Sequence, residues 1–197
     1  VSKYKITATF LEPILGTVPK DENIYATYIG GKAEDADIED ELETVPSAEE
    51  KGWTGFHQED GKPVLYDYVI KGFFKDACGM LRRAKGTKSK KLKAYKKVID
   101  GLVFVGPRRI PIDVNGEEMG VLERPLRTSG PMGDRVALAR SDTCPVGSQI
   151  TFEVQIIGDE VSEKLLREWL DYGQNRGIGQ WRNAGYGKFI YKMEVLS

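Results

Sequence analysis

Four separated stretches of this sequence, alternating polar and apolar or running apolar at strand length, frame two longer stretches in which apolar residues recur at helical spacing. The order of these stretches constrains the fold more than any other feature. Lys3-Tyr4-Lys5-Ile6-Thr7-Ala8-Thr9-Phe10 alternates as a half-buried strand and is broken by Glu12-Pro13 and Gly16. Val69, Ile70, Phe73, Phe74, Ala77, Met80 and Leu81 share one helical face behind Asp67, the predicted N-cap. Leu102-Val103-Phe104-Val105 reads as a buried strand, and the segment from Ile150 to Ile157 alternates again. Ser162 caps a second helix whose Leu165, Leu166, Trp169 and Leu170 lie together and which is predicted to end at Gly173; Lys188 to Val195 is the last strand. Stripped of what lies between, the order is strand, helix, strand, strand, helix, strand. That βαββαβ order predicts an α+β, ferredoxin-like fold, with both helices on one face of an antiparallel sheet.

The remaining segments are additions to that core. Residues 17–64 are polar, acidic and loop-rich, with a short helix expected near Ile24 to Ile29. Residues 115–147 carry turn signals (Asn115-Gly116, Gly130-Pro131, Pro145-Val146-Gly147) around an alternating Arg135 to Arg140, which reads as a β-hairpin or arm. Arg108 to Val114 alternates after Pro107, and Lys91 to Ile99 adds a helical turn or two. At 197 residues the chain fits one elaborated domain, 1–197, carrying two insertions.

Composition excludes several classes. Two cysteines, Cys78 and Cys144, supply neither a disulfide framework nor a four-thiolate zinc site. No stretch reaches the length of an apolar membrane span, and Val1 to Ile6 has no secretory apolar region, so a cytoplasmic, membrane-free protein is expected. The net charge of −1 names no polyanionic partner, but it hides a local asymmetry. Nine acids and no Lys or Arg lie from Glu34 to Glu50; eleven bases and one acid, Asp76, lie from Lys71 to Lys97. The basic block is the footprint of a phosphate-backbone binder or a solvated lysine loop. The acidic block is either a flap that competes with nucleic acid or a solubilising insertion.

Most informative is Gly173-Gln174-Asn175-Arg176-Gly177-Ile178-Gly179-Gln180-Trp181-Arg182-Asn183-Ala184-Gly185-Tyr186-Gly187-Lys188-Phe189, between the last helix and the last strand. Glycine permits close backbone approach, exposed amides cradle phosphates, arginine adds charge, and Trp or Tyr stacks on bases. It is neither a dinucleotide-binding fingerprint nor a P-loop.

Gly177 to Phe189 resembles the C-terminal glycine-rich loop of the repeat-associated mysterious protein (RAMP) superfamily of CRISPR-associated proteins. Three further stretches agree in order and position. Tyr66 to Leu81, with Ile70-Lys71-Gly72, resembles the Lys-Gly helix of RAMP backbone subunits. Arg124 to Ile157, with Arg140-Ser141-Asp142, Pro145-Val146-Gly147 and Phe152-Glu153-Val154, resembles the segment leading into their later strand. Glu12-Pro13-Ile14-Leu15-Gly16 matches the turn after their first strand. The sequence departs from the family at Tyr66-Asp67-Tyr68-Val69, where a Pro-Gly-Ser-Ser stretch is usual, and Asp142 stands near a family Glu. The chain is also short for a backbone subunit, which points to a stand-alone, phage-encoded relative.

The resemblance implies an RRM-related core that binds single-stranded RNA, such as a CRISPR RNA, ahead of single-stranded DNA, as a homo-oligomer or beside CRISPR effector subunits. Lys71, Lys75, Arg82, Arg83, Arg176, Arg182 and Lys188 are the phosphate-facing candidates. Trp181 and Tyr186 are the stacking candidates, and Gly177, Gly179, Gly185 and Gly187 set the loop backbone. Arg108, Arg109, Arg124, Arg127 and Arg135 extend the basic surface. The protein reads as non-catalytic, needing no cofactor or metal. A second reading is a metal-independent endoribonuclease centred on His57, the one histidine, acting with Lys71 or Arg82. Asp21 and Asp60 are weaker stand-ins for a loop aspartate. A third reading is a protein-interaction module, an anti-CRISPR mimic of a CRISPR subunit.

Overall fold

The computed structural model describes residues 1–20, 53–131 and 133–196. The expected helix at 24–29, the acidic block 34–50 and Asp21 lie outside the described residues. The described residues form an α+β structure of two sheets and three helices. Strands β1 (Ser2–Phe10), β7 (Val103–Gly106), β11 (Gln149–Ile156) and β12 (Phe189–Val195) make an antiparallel array in the order β12-β1-β11-β7. Helix α1 (Asp67–Leu81) lies in the chain between β1 and β7, and α3 (Glu163–Arg176) connects β11 to β12. The short α2 (Tyr95–Leu102) leads into β7.

Strand alternation sends Tyr4, Ile6, Ala8 and Phe10 of β1, with Ile150, Phe152, Val154 and Ile156 of β11, into the core. The other face of these two strands carries Lys3, Lys5, Thr7 and Thr9 beside Gln149, Thr151, Glu153 and Gln155. Helix α1 buries Ile70, Phe73, Phe74, Ala77 and Cys78; α3 buries Leu165, Leu166, Trp169 and Leu170. The Phe74 and Trp169 rings meet at 5.7 Å between centroids, and each fully buried apolar side chain of this size stabilises the fold by about 1.5–3 kcal/mol.

Three helix boundaries differ from those expected. Asp67 is the first residue of α1 rather than its cap, because strand β6 (Lys62–Tyr66) runs directly into the helix and leaves Tyr66 at the cap position. The Asp67 carboxylate still accepts from the Tyr68 amide and pairs with Arg108 at 3.1 Å, in the first turn where negative charge is favourable. Helix α3 continues through Gly173 to Arg176, since that glycine is there for contact: a Cβ would lie 2.2 Å from the Phe189 ring. Helix α2 begins at Tyr95 because Ala94 sits at φ 46, after a 3-10 turn over Ser89–Lys91.

The end of the 17–64 stretch is more ordered than its polarity predicts. Strand β4 (Trp53–Gly55) enters the second sheet, and β5 (His57–Glu59) pairs with β6 through a two-residue turn. Asp60 and Gly61 both have positive φ there, the backbone that an Asp-Gly hairpin turn demands. Strand β6 then pairs with β8 (Arg109–Asp113) and extends the first sheet. The second sheet is built on a long hairpin, β9 (Gly120–Gly130) and β10 (Gly133–Cys144). The foot of β10 pairs antiparallel with β2 (Ile14–Leu15) and parallel with β4, which in turn pairs with β3 (Val18–Pro19).

Candidate nucleic-acid interface

The glycine-rich loop is first of all a packing element. The Gly187 amide donates to Pro13 O, Leu11 to Lys188 O, and Ile178 to Gly187 O, so the loop is laced to the turn after β1. A Cβ on Gly187 would lie 1.8 Å from the Ile178 carbonyl oxygen, and one on Gly179 would lie 2.8 Å from Leu15 O. Both have positive φ, 71° and 94°, so only glycine fits in conformation and in space. Gly177 is held the same way against the Tyr186 carbonyl, while Gly185 stands in open surroundings.

Two of the predicted phosphate-facing arginines are engaged inside the protein. Arg176 Nε donates to Asp76 Oδ2 at 2.8 Å, and Arg182 Nη1 donates to the same oxygen at 3.0 Å. Arg176 also reaches Asn183 Oδ1 at 2.6 Å. Asp76, the single acid of the basic stretch, therefore ties α1 to the start and to the middle of the loop. Burial pushes the Arg182 pKa down, with Asp76 opposing it.

What the loop presents is the pair Trp181 and Tyr186, with ring centroids 6.4 Å apart and planes at 62°. Trp181 has φ 51, which turns the chain between the buried Gln180 and the 3-10 turn over Arg182–Ala184. The Arg124 guanidinium of β9 lies 4.9 Å from the Trp181 ring, so hairpin and loop meet at a cation–aromatic contact. Behind it, Thr54 Oγ1 donates to Gln180 Oε1 at 3.0 Å and lies 2.8 Å from Ser141 Oγ, which bonds Gly16 O at 2.9 Å. This buried chain of hydroxyls joins β4, β10, the loop and the turn after β2.

A second aromatic–cation group stands at the other face of the hairpin root. Trp53 Nε1 donates to Asp142 Oδ1 at 2.6 Å, and Lys20 Nζ pairs with Asp142 Oδ2 at 2.6 Å. The Lys20 ammonium is 4.2 Å from the Trp53 ring centroid and Arg140 is 5.8 Å from it, itself paired with Glu123 at 2.8 Å. In the β9–β10 register Arg124 faces Ala139 and Glu123 faces Arg140, so successive side chains put these groups on opposite faces. Aromatic rings beside cations can stack on bases while compensating phosphate charge.

Other predicted residues lie elsewhere. Lys71 donates to Asp100 O and lies 5.3 Å from the Phe104 ring; Lys75 pairs with Asp100 at 2.5 Å. Burial is the main influence lowering the Lys71 pKa. Arg82 packs over Tyr95 at 4.9 Å, Arg83 is exposed, and Lys188 is half-buried beside Gly185. His57 stacks edge-on against Tyr66, 4.6 Å between ring centres, while Lys71 and Arg82 turn to Asp100 and Tyr95. Among the described residues no three His, Cys, Asp or Glu side chains are grouped to hold a metal, and no helix is long and apolar enough to cross a membrane.

Sequence reasoning missed Lys20, Trp53, Thr54 and Gln180. A tryptophan between two glycines in a polar stretch (Gly52-Trp53-Thr54-Gly55) was the available signal for the first of these contacts.

No protein-family model matches this sequence, and no curated protein matches it. Among the solved structures that share its fold are chains of two CRISPR complexes. One is a chain of the type III-B Cmr-β complex bound to cognate target RNA, determined by cryo-EM: TM-score 0.56 and 12% identity over 100% of this chain and 61% of that one. The other is a chain of a type IV-B CRISPR complex: TM-score 0.51 and 10% identity over 98% and 90%. The protein thus has a fold found in chains of CRISPR complexes, and it spans about three fifths of the length of the Cmr-β chain.

Proposed function

We propose that this is a RAMP-like, single-stranded RNA-binding protein with a ferredoxin-like core, non-catalytic and related to the backbone subunits of CRISPR effectors. The strand order β12-β1-β11-β7, with α1 and α3 as the connecting helices, supports the ferredoxin-like reading. The two structural neighbours support an RNA partner and CRISPR subunits as companions. Residues 115–147 then act as an arm on a single domain.

The observation that carries this reading is the convergence of Arg124 from the hairpin on Trp181 and Tyr186 from the glycine-rich loop. The outward face of β1 and β11 is threonine, glutamine and charged residues, so it offers no stacked-base platform. RNA therefore lies along the loop and the Arg124 face of the hairpin root: bases stack on Trp181 and Tyr186, and Arg124 and Lys188 meet phosphates. Arg176 and Arg182, paired with Asp76, hold the loop beside that path.

The test is fluorescence anisotropy with labelled single-stranded RNA across a salt series. Affinity should fall steeply with salt, and Trp181→Ala should weaken binding by about 1–3 kcal/mol. Unchanged binding by a folded Trp181→Ala protein would overturn the assignment of the stacking site. RNA recovered with the purified protein and released by salt would report, through its length, how many copies line up on it.

A further inference from the structure

From Ala77 to Ile99 the chain holds nine cations and no carboxylate, and eight of them, between Arg83 and Lys97, are exposed. Such a run ordinarily repels itself into a loose, solvated loop. Here it is fastened at its centre. Glu168 of α3 accepts from the Lys88 amide (2.7 Å), the Ser89 amide (2.9 Å) and Ser89 Oγ (2.5 Å), and Trp169 Nε1 donates to Ser89 Oγ at 3.0 Å. Ser89 and Leu92 are buried, Thr87 Oγ1 donates to Leu81 O and Ala84 O behind α1, and Arg82 closes over Tyr95. Burial, the largest single influence on Glu168, pushes its pKa up, yet the Ser89 hydroxyl and the two amides together hold it below the ordinary value.

We infer that this lysine lobe is a second nucleic-acid surface, one that grips the phosphodiester backbone of a duplex segment. The lobe fixes cations but offers no stacking platform: Tyr95, its one aromatic, lies under Arg82. It reads charge and not bases, and a duplex presents about one phosphate per 1.7 Å of axis with its bases hidden. Glu168 is the positioning residue. Its carboxylate organises the lobe although, as a negative charge, it opposes the ligand. The inference is independent of the loop–hairpin site, where bases must be free to stack.

The experiment measures binding of a labelled, blunt-ended RNA duplex and a labelled single strand across 50–200 mM salt. Replacing exposed Lys85, Lys90, Lys93 and Lys97 together by Gln should make the slope of log affinity against log salt for the duplex shallower by about 3 to 4. Trp181→Ala should weaken the single strand and leave the duplex unchanged, so failure of either site is read separately. Charge counting alone predicts that Glu168→Gln tightens duplex binding. A fixed lobe predicts the opposite, a weakening of about three- to ten-fold as the tethered turn loosens. No duplex binding at 50 mM salt, or an unchanged slope in the folded four-lysine variant, would overturn the inference. Tighter or equal duplex binding by Glu168→Gln would overturn the role of the tether.

Discussion

Asp76→Asn separates the structural and the binding roles of the loop arginines, because the two predict effects of opposite sign. Asp76 Oδ2 accepts from Arg176 Nε at 2.8 Å and from Arg182 Nη1 at 3.0 Å, with all three side chains less than a third exposed. Asparagine keeps the shape and one acceptor oxygen but removes the charge. A hydrogen bond to a charged partner contributes about 1.5–3 kcal/mol and a neutral one about 0.5–1.5, so weakening two of them costs about 2 kcal/mol. For a domain of this length that lowers the melting temperature by about 4–8 °C. The same change releases two guanidiniums from their counter-charge next to Trp181. If the RNA path runs along the loop, the salt dependence of single-strand binding should steepen by about 0.7 for each arginine that gains a phosphate. Calorimetry and salt-series anisotropy on one preparation give both numbers. A variant that melts with the wild type refutes the tie between α1 and the loop. One that is destabilised but keeps the wild-type salt slope refutes the placing of RNA beside these arginines.

Two further expectations concern the packing beneath the site. Gly187→Ala meets the Ile178 carbonyl oxygen at 1.8 Å, whereas Gly185→Ala meets only the flexible end of Lys188 at 3.7 Å, and both positions have positive φ. Both variants bear the left-handed strain of about 1–2 kcal/mol, and Gly187→Ala adds about 3 kcal/mol of overpacking. Equal melting temperatures would show that the loop does not need close backbone contact at Gly187. Burial, with Asp142 adding to it, pushes the Cys144 thiol from 9.0 up to about 12. A thiol held protonated in the folded state stabilises fully below its unfolded pKa and loses that contribution as pH rises from about 9 to 12, at up to about 1.4 kcal/mol per pH unit. Urea midpoints between pH 9 and 10, below the window of Tyr191, which is raised from 10.0 to about 12, should fall more steeply for wild type than for Cys144→Ala; equal slopes would refute it.

The strands and helices of the core were legible because their periodicity follows from burial on one face. Val69 to Leu81 and Leu165 to Leu170 had to be helical to gather their apolar side chains, and they are. The short strands β2 to β6 were not legible: two to five residues interrupted by Gly16, Gly55 and Pro63 carry no countable period. Even so, Asp60-Gly61 was a hairpin signal in plain view. The site divides in the same way. Trp181 and Tyr186 could be picked out by residue type in a glycine-rich loop, and Arg124 from its place in the second insertion. That Asp76 would hold both Arg176 and Arg182, or that Asp100 would hold Lys71 and Lys75, could not be read, since each pairing closes a contact set by the tertiary packing of α1 on its neighbours.

These pairings change what the basic stretch means. By sequence, Lys71 to Lys97 is one block of charge. In three dimensions its first part is internal mortar, with Lys71 and Lys75 on Asp100 and Arg82 on Tyr95, and its second part is an exposed lobe fastened by Glu168. The loop shows the same division of labour at shorter range. Gly177, Gly179 and Gly187 fix the backbone by contact, and that fixed backbone carries Gln180 inward to Thr54 and Trp181 outward to Arg124. The bond between buried Gln180 and Thr54 sets the register of the loop on β4, and the adjoining Ser141 extends it to β10. A buried polar contact of this kind specifies one arrangement of its neighbours. The arrangement it specifies is the one that brings hairpin and loop together around Trp181.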